Sequence, residues 1–269
     1  MSRVNVQQLV MAGAHFGHLT SRWNPKMRPY IFMEKNGIYI IDLNKTLKMI
    51  ENALAAISKI TAAGEQVLYV GTKKQARDLM RDEATRAGMP FVNERWLGGM
   101  LTNFSTIRKS IKKLETLEKK AVDGTYENIT KKERLMLEKQ KEKLERNLSG
   151  MRTMKRLPGA VFVVDTLQEE IAVHEAVKLG IPIFAIVDTN ANPDPINYPI
   201  PANDDAYKSI GLITKTFTDA VVEGSAHAQA KKQAEAEETG GHGGESGGAE
   251  KKRQSGPRRR RSAAPKAKA

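Results

Sequence analysis

Four aspartates and one histidine stand where this chain could hold a metal ion. Asp165 and Asp188 close two apolar runs in matching contexts, Val163-Val164-Asp165-Thr166 and Ile186-Val187-Asp188-Thr189. Ligands of open α/β sheets collect at the carboxyl ends of strands, and Asp204, Asp205 and His18 would add further donors there. Such an oxygen-rich set suits Mg²⁺, or Zn²⁺ if the histidine joins it. The competing role is structural, with the carboxylates capping helices and loop amides. A metal-dependent enzyme acting on phosphoesters is the catalyst such a cluster would permit. The other requirements of catalysis are not met. His15, His18 and His174 are the only histidines in segments patterned to fold, and no G-x-S-x-G occurs. Neither G-x-x-x-x-G-K-[ST] nor G-x-G-x-x-G follows any expected strand. The residues point to a binding protein that requires no cofactor, with a structural Mg²⁺ or Zn²⁺ as the one candidate ion.

The cations carry the stronger signal. Lys and Arg total 44 against 31 acids, a net of +13, with a pI near 9.8. That balance favours partners bearing phosphate. In Arg22-Trp23-Asn24-Pro25-Lys26-Met27-Arg28-Pro29-Tyr30, aromatic faces alternate with cations, the combination that single-stranded or looped RNA favours. The alternative is that these aromatics anchor their loop to the core. Lys73 and Lys74 follow Gly71-Thr72 at the end of a strand, where Thr72 would cap a helix and the two lysines would meet phosphate. Arg95 and Arg108 complete the set of expected RNA contacts, which is Arg22, Trp23, Lys26, Arg28, Lys73, Lys74, Arg95 and Arg108. A membrane is not expected as partner, since no apolar run approaches the ~20 residues a spanning helix needs. Met1–Gln7 lacks the apolar core of a secretory signal. Cysteine is absent, which excludes disulfides and thiolate-ligated zinc and fits a cytoplasmic location.

The elements that must position these groups alternate. Gly37–Leu43 reads as a strand, followed by a helix to about Ala62 capped by Asp42 or Asn44. Gln66–Val70 is a buried strand with a helix after it to about Ala87, and Pro90–Val92 a short strand. Ala160–Thr166 and Ile183–Thr189 are strands flanking a helix that Gly180 stops. A proline-rich crossing then leads to a last helix, capped by Asn203 or Asp204 and reaching about Val222. Apolar strands between amphipathic helices imply a doubly wound parallel sheet spanning residues 1–103 and 152–224.

Two stretches break the rhythm. Residues 104–151 carry coiled-coil spacing at Ile107, Ile111, Leu114 and Ala121, and again at Leu137, Leu144, Leu148 and Met151. A turn at Asp123–Tyr126 and a capping box at Thr130–Glu133 would make them an antiparallel helical hairpin projecting from the sheet. Residues 225–269 hold 11 Lys and Arg against 5 Glu and almost no large apolar residue. They read as a disordered basic tail tracking RNA phosphate, or merely aiding solubility. Between sheet and hairpin lies Phe91–Phe104, with Trp96, Gly98 and Gly99, an aperiodic joint.

Taken in order, five blocks of the chain resemble one family. They are His15-Phe16-Gly17-His18; Trp23-Asn24-Pro25-Lys26-Met27; Arg95 through Phe104; Ile181-Pro182 with Val187-Asp188-Thr189-Asn190; and Ile200-Pro201-Ala202-Asn203-Asp204-Asp205-Ala206. Together, over about residues 5–224, they resemble the bacterial S-two family of small-subunit ribosomal proteins. The resemblance implies a flavodoxin-like (Rossmann-like) domain bearing a helical hairpin, binding to small-subunit ribosomal RNA, and a place in the cytoplasm on the ribosome. It also implies neighbouring small-subunit proteins as partners and support for attachment of the large first ribosomal protein, which captures messenger RNA. A free-standing RNA-binding module is the alternative that composition alone leaves open.

Overall fold

The computed structural model describes residues 4–123 and 130–240. Helix α1 (Val6–Ala12) begins at a capping box formed by Asn5 and Gln8 and ends at Gly13 in the left-handed region. Three antiparallel strands follow, β1 (Phe16–Leu19), β2 (Ile31–Lys35) and β3 (Ile38–Ile41), in the order β1-β3-β2. Asn36 and Gly37, at φ 56° and 75°, make the two-residue turn between β2 and β3, as the twist of a tight hairpin requires. Here the structure departs from the sequence expectation. Gly37–Leu43 does not open the parallel sheet; its strand β3 pairs instead with Phe16–Leu19 and Ile31–Lys35. The turn folds β2 back on β3 while β1 takes its other side, so no edge of β3 remains for the main sheet.

Then the expected alternation sets in. Helix α2 (Leu43–Ala62) is capped by Asp42, whose side chain accepts from Asn44 N. After β4 (Val67–Val70) come α3 (Arg77–Arg86) and β5 (Phe91–Val92), then α4 (Phe104–Val122) and α5 (Lys131–Leu148). The chain returns through β6 (Ala160–Val164), α6 (Glu170–Leu179), β7 (Ile183–Val187), β8 (Tyr198–Pro201) and α7 (Tyr207–Gly240). The second sheet is wholly parallel, ordered β5-β4-β6-β7-β8. Strand β8 lies in the proline-rich stretch expected as a crossing. Edge position explains it, because an edge strand uses only alternate N–H groups. Ala202 N donates to Val187 O at 3.1 Å, whereas Pro199 and Pro201 occupy the positions whose donors would point outward.

Every residue of β4, β6 and β7 is buried, since helices and loops cover both faces. Period-two alternation sends Val67, Tyr69, Phe162 and Phe184 to one face, against α2 and α7, and Leu68, Val70, Val161 and Val163 to the other, under the 96–101 loop and α6. Phe162 and Phe217 stack at 4.2 Å between ring centroids and anchor α7. That helix outruns its expected end at Val222. Gly224 lets it lie against α2, where an added Cβ would sit 1.9 Å from Thr61 Oγ1, and Ala228 is buried beyond it. Residues 225–240 are therefore helical, correcting the expected disorder there. Residues 241–269, including Arg258–Arg261, lie outside the described residues. Met1–Lys231 make one compact unit and Lys232–Ala269 another, of which the last turns of α7 are described.

Helices α4 and α5 pack on each other. On α4 the buried row is Ile107, Ile111, Leu114 and Leu117; Ala121, expected in that row, is exposed. Thr130 and Glu133 form the expected capping box. Of the expected turn only Asp123 is described.

Candidate functional site

In the main sheet the chain runs outward from β4 to β5, then returns to β6 on the other side of β4. The crevice at the carboxyl ends of β4 and β6 is where such folds hold ligands. Here it holds Lys73. Its Nζ lies 2.7 Å from Asp204 Oδ1, 2.7 Å from Asp205 Oδ1 and 3.1 Å from Asp165 Oδ2. Burial lowers the affinity of this amine for its proton, but the three carboxylates outweigh burial and raise its pKa. Lys73 thus serves as counter-ion to three carboxylates. Thr72 does not cap α3, which starts only at Arg77. Its backbone N–H donates to Glu169 Oε1 at 2.7 Å and its hydroxyl accepts from Gln168 Nε2 at 2.8 Å.

Asp188 lies at the end of β7. Its Oδ1 accepts from Thr189 N at 2.5 Å and its Oδ2 is 3.2 Å from His18 Nδ1. His18 Nε2 is 3.3 Å from Asp205 Oδ2, and the neighbouring carboxylates, Asp188 foremost, raise the imidazole pKa. The histidine arrives because β1 is clasped to β7. His18 N donates to Thr189 Oγ1 at 2.8 Å, Asn24 N to Thr189 O at 2.8 Å, and Asn203 N to Ala14 O at 3.1 Å. Gly17 permits the clasp, since a Cβ there would fall 2.5 Å from Thr189 Cγ2.

The structural role weighed for the aspartates is seen at Asp165. Asp165, itself left-handed at φ 65°, accepts from Leu167 N and Gln168 N at 3.1 Å, so it caps a turn. Asn203 accepts from Asp205 N and Ala206 N, leaving Asp204 free of any capping duty. Asp204 is 1 % exposed, and its Oδ2 has no hydrogen-bond partner. Burial, with Asp188 and Asp165 nearby, pushes its pKa up to about 7. Ligand atoms of His18, Asp188 and Asp204 lie within 4.8 Å of one another. Asp205 is half exposed and shares its carboxylate between Lys73 and His18.

The other expected contacts fall in three places. Arg22, Lys26 and Arg28 are exposed on the two 3₁₀ turns Thr20–Arg22 and Pro25–Tyr30, Lys26 being paired with Asp194. Trp23 is partly buried and packs on Tyr39 at 5.0 Å, as a loop anchor would. Lys74 is exposed beside the crevice. At the base of the α4–α5 pair, Arg95 is exposed and has no acidic partner among the described residues, while Arg108 Nη1 donates to Lys155 O at 2.9 Å.

The residue that sequence reading missed is Glu175. Its buried carboxylate accepts from Trp96 Nε1 at 3.1 Å, Gly99 N at 2.7 Å, Leu101 N and Thr102 N at 2.9 Å, and the Thr102 hydroxyl at 3.0 Å. Burial alone would raise its pKa; these donors hold it below the ordinary carboxylate value. A polar residue among Ala172, Val173 and Ala176 on the buried face of α6 was the available signal.

The profile of a family described as "Ribosomal protein S2" matches residues 9–224. A protein of Chloroherpeton thalassium named small ribosomal subunit protein uS2 is 57% identical over 236 residues, covering 88% of this chain and 94% of its own length. Proteins of the same name from Chlorobium luteolum and Chlorobaculum tepidum are each 58% identical over 222 residues, covering 82% of this chain and 88% and 89% of theirs.

Proposed function

The chain belongs to the ribosomal protein S2 family and is a structural constituent of the small ribosomal subunit, not an enzyme; from there we propose that it works as an electrostatic fastener on small-subunit ribosomal RNA. The observation that carries this reading is a set of exposed cations without acidic partners among the described residues: Arg22, Arg28, Lys74 and Arg95. Phosphate neutralisation releases counterions and needs no base-specific contact. Helices α4 and α5, continued as an antiparallel coiled coil, serve as the arm that reaches a second RNA segment. The basic residues beyond 240 add charge to the same task, in the cytoplasm on the ribosome. Neighbouring small-subunit proteins, the large messenger-capturing one among them, dock on the three-stranded sheet. That sheet exposes apolar side chains at Phe16, Leu19, Phe32 and Met33, with Phe32 69 % exposed.

The test is binding of purified protein to small-subunit ribosomal RNA across a salt series. With six or more phosphates engaged, affinity falls by roughly three orders of magnitude between about 50 and 200 mM salt. A flat response overturns the electrostatic reading.

A second reading concerns the carboxylate cluster, and the unpartnered Asp204 Oδ2 favours it. We infer that His18, Asp188 and Asp204 hold one divalent ion that neutralises the acidic excess Lys73 leaves. A nitrogen donor beside two carboxylates suits Zn²⁺ better than Mg²⁺. Its part would be structural, fixing β1 and the 203–206 turn to the end of β7.

A further inference from the structure

Where α5 approaches α3 and the 93–95 segment, the surface forms a groove of ≈ 580 Å³ lined by Arg77, Arg95, Lys139, Lys143 and Arg146, with Glu94, Glu142 and Asn147. Five cations against two acids leave an excess of three positive charges in one concavity. Two of the guanidiniums are already ordered. Arg77 Nε donates to Thr72 O at 2.9 Å, its Nη2 reaches Glu94 O at 3.4 Å, and its Nη1 lies 3.5 Å from Glu94 Oε2. Arg146, from α5, places Nε 3.0 Å from the same Oε2. One carboxylate therefore aligns an arginine of the sheet domain with an arginine of the hairpin. Lys139 and Lys143, one helical turn apart and both exposed, have no acidic partner among the described residues, nor has Arg95.

We propose that this groove seats the phosphate backbone of an RNA strand, with Arg77 and Arg146 as its preorganised floor and Arg95, Lys139 and Lys143 as its adaptable wall. The proposal rests on the RNA-binding reading above and locates the backbone on the chain. Guanidiniums fixed before binding lose less freedom when they meet phosphate, and their planar fork matches two phosphate oxygens. A protein partner is less well served here. Protein interfaces centre on aromatic and aliphatic anchors, and no apolar side chain lines this groove.

The experiment uses the full chain carrying Lys139→Glu with Lys143→Glu, beside a control of equal charge change, Lys178→Glu with Lys208→Glu, also exposed and outside the groove. Thermal melts first confirm that both fold as the parent does. Binding to small-subunit ribosomal RNA is then measured across salt. The groove variant is expected to bind tenfold or more weakly at about 0.1 M salt, with its log–log salt slope reduced by about two, one for each phosphate left without its lysine. The control keeps the parental slope. If the parent binds RNA and the groove variant behaves as the control does, the groove proposal is overturned and the RNA reading stands. If the parent binds no RNA, the RNA reading itself fails. A groove variant with parental RNA binding that no longer enters reconstituted small subunits overturns the proposal in favour of an acidic protein neighbour.

Discussion

Trp96 and Glu175, 79 residues apart in sequence, meet at 3.1 Å in a buried hydrogen bond. The carboxylate that receives the indole N–H also receives three backbone N–H groups of the Gly99–Thr102 segment. A loop without periodicity is thus given one shape by a single side chain of α6. Gly99, at φ 88°, allows the path, and Glu175 selects it. The segment between β5 and α4 is thus tied to α6 at the point where the chain leaves the core.

Glu175→Gln tests this directly. The amide keeps one acceptor but turns an NH₂ group towards N–H donors, so the variant should lose roughly 3 kcal/mol at neutral pH. Denaturant unfolding followed by tryptophan fluorescence reads the loss. A change under about 0.5 kcal/mol, the usual range for surface substitutions, would refute the keystone role.

The same residue predicts a pH dependence. Its folded pKa lies below the unfolded value, so its stabilisation is complete above the unfolded carboxylate range, about 4.3. The contribution fades as pH falls through the folded pKa. The stability gap between parent and Glu175→Gln should therefore be widest near neutrality and narrow below about pH 4. A gap that widens on acidification contradicts the assignment.

Lys73→Met removes the ammonium that three carboxylates share. An uncompensated buried charge costs about 3–5 kcal/mol, and calorimetry should find a loss of that order. RNA affinity of any folded fraction, and its salt slope, should match the parent. A fall in slope would return Lys73 to the phosphate contacts.

Gly17→Ala should cost about 2 kcal/mol by overpacking, since its Cβ would meet Thr189 Cγ2 and Oγ1 at 2.5 and 2.7 Å. In a double-mutant cycle with Thr189→Ala the two losses should fall short of additivity, because the smaller residue relieves the clash. Simple additivity would place the strain elsewhere.

Zn²⁺ added to metal-free protein should raise the melting temperature, and the shift should vanish in His18→Ala. Mass spectrometry under non-denaturing conditions should count one ion per chain. The absence of both signals sinks the metal reading without touching the RNA one.

The alternation of strand and helix was legible because buried parallel strands are continuous apolar runs, as at Val67–Val70 and Ile183–Val187. Helices α4 and α5 were legible from their apolar spacing, Ala121 excepted, and from the Thr130–Glu133 box. The N-terminal sheet was missed although Asn36-Gly37 between two apolar runs signals a hairpin; the prolines and cations just before it read more strongly as loop. The site divided along similar lines. Clustering of the strand-end aspartates followed from topology, whereas β1, which brings His18 to them, was missed. Capture of Lys73 by those aspartates did not, because which cation enters a crevice depends on side-chain reach. Glu175 was the least legible, since its partners are mostly backbone N–H groups, which carry no residue identity.

The parallel sheet has two open sides, and both are shut. On β8, Pro199 and Pro201 stand where outward N–H donors would be. Beyond β5, Gly150 sits so close to Phe91 O that a Cβ would lie 2.2 Å from it, and the Ser149–Met151 turn covers that edge. Exposed strand edges invite other chains to add on and aggregate. A ribosomal protein is made apart from its RNA and must wait to be assembled. With its edges closed in this way, the parallel sheet of a free copy offers no strand for another chain to extend.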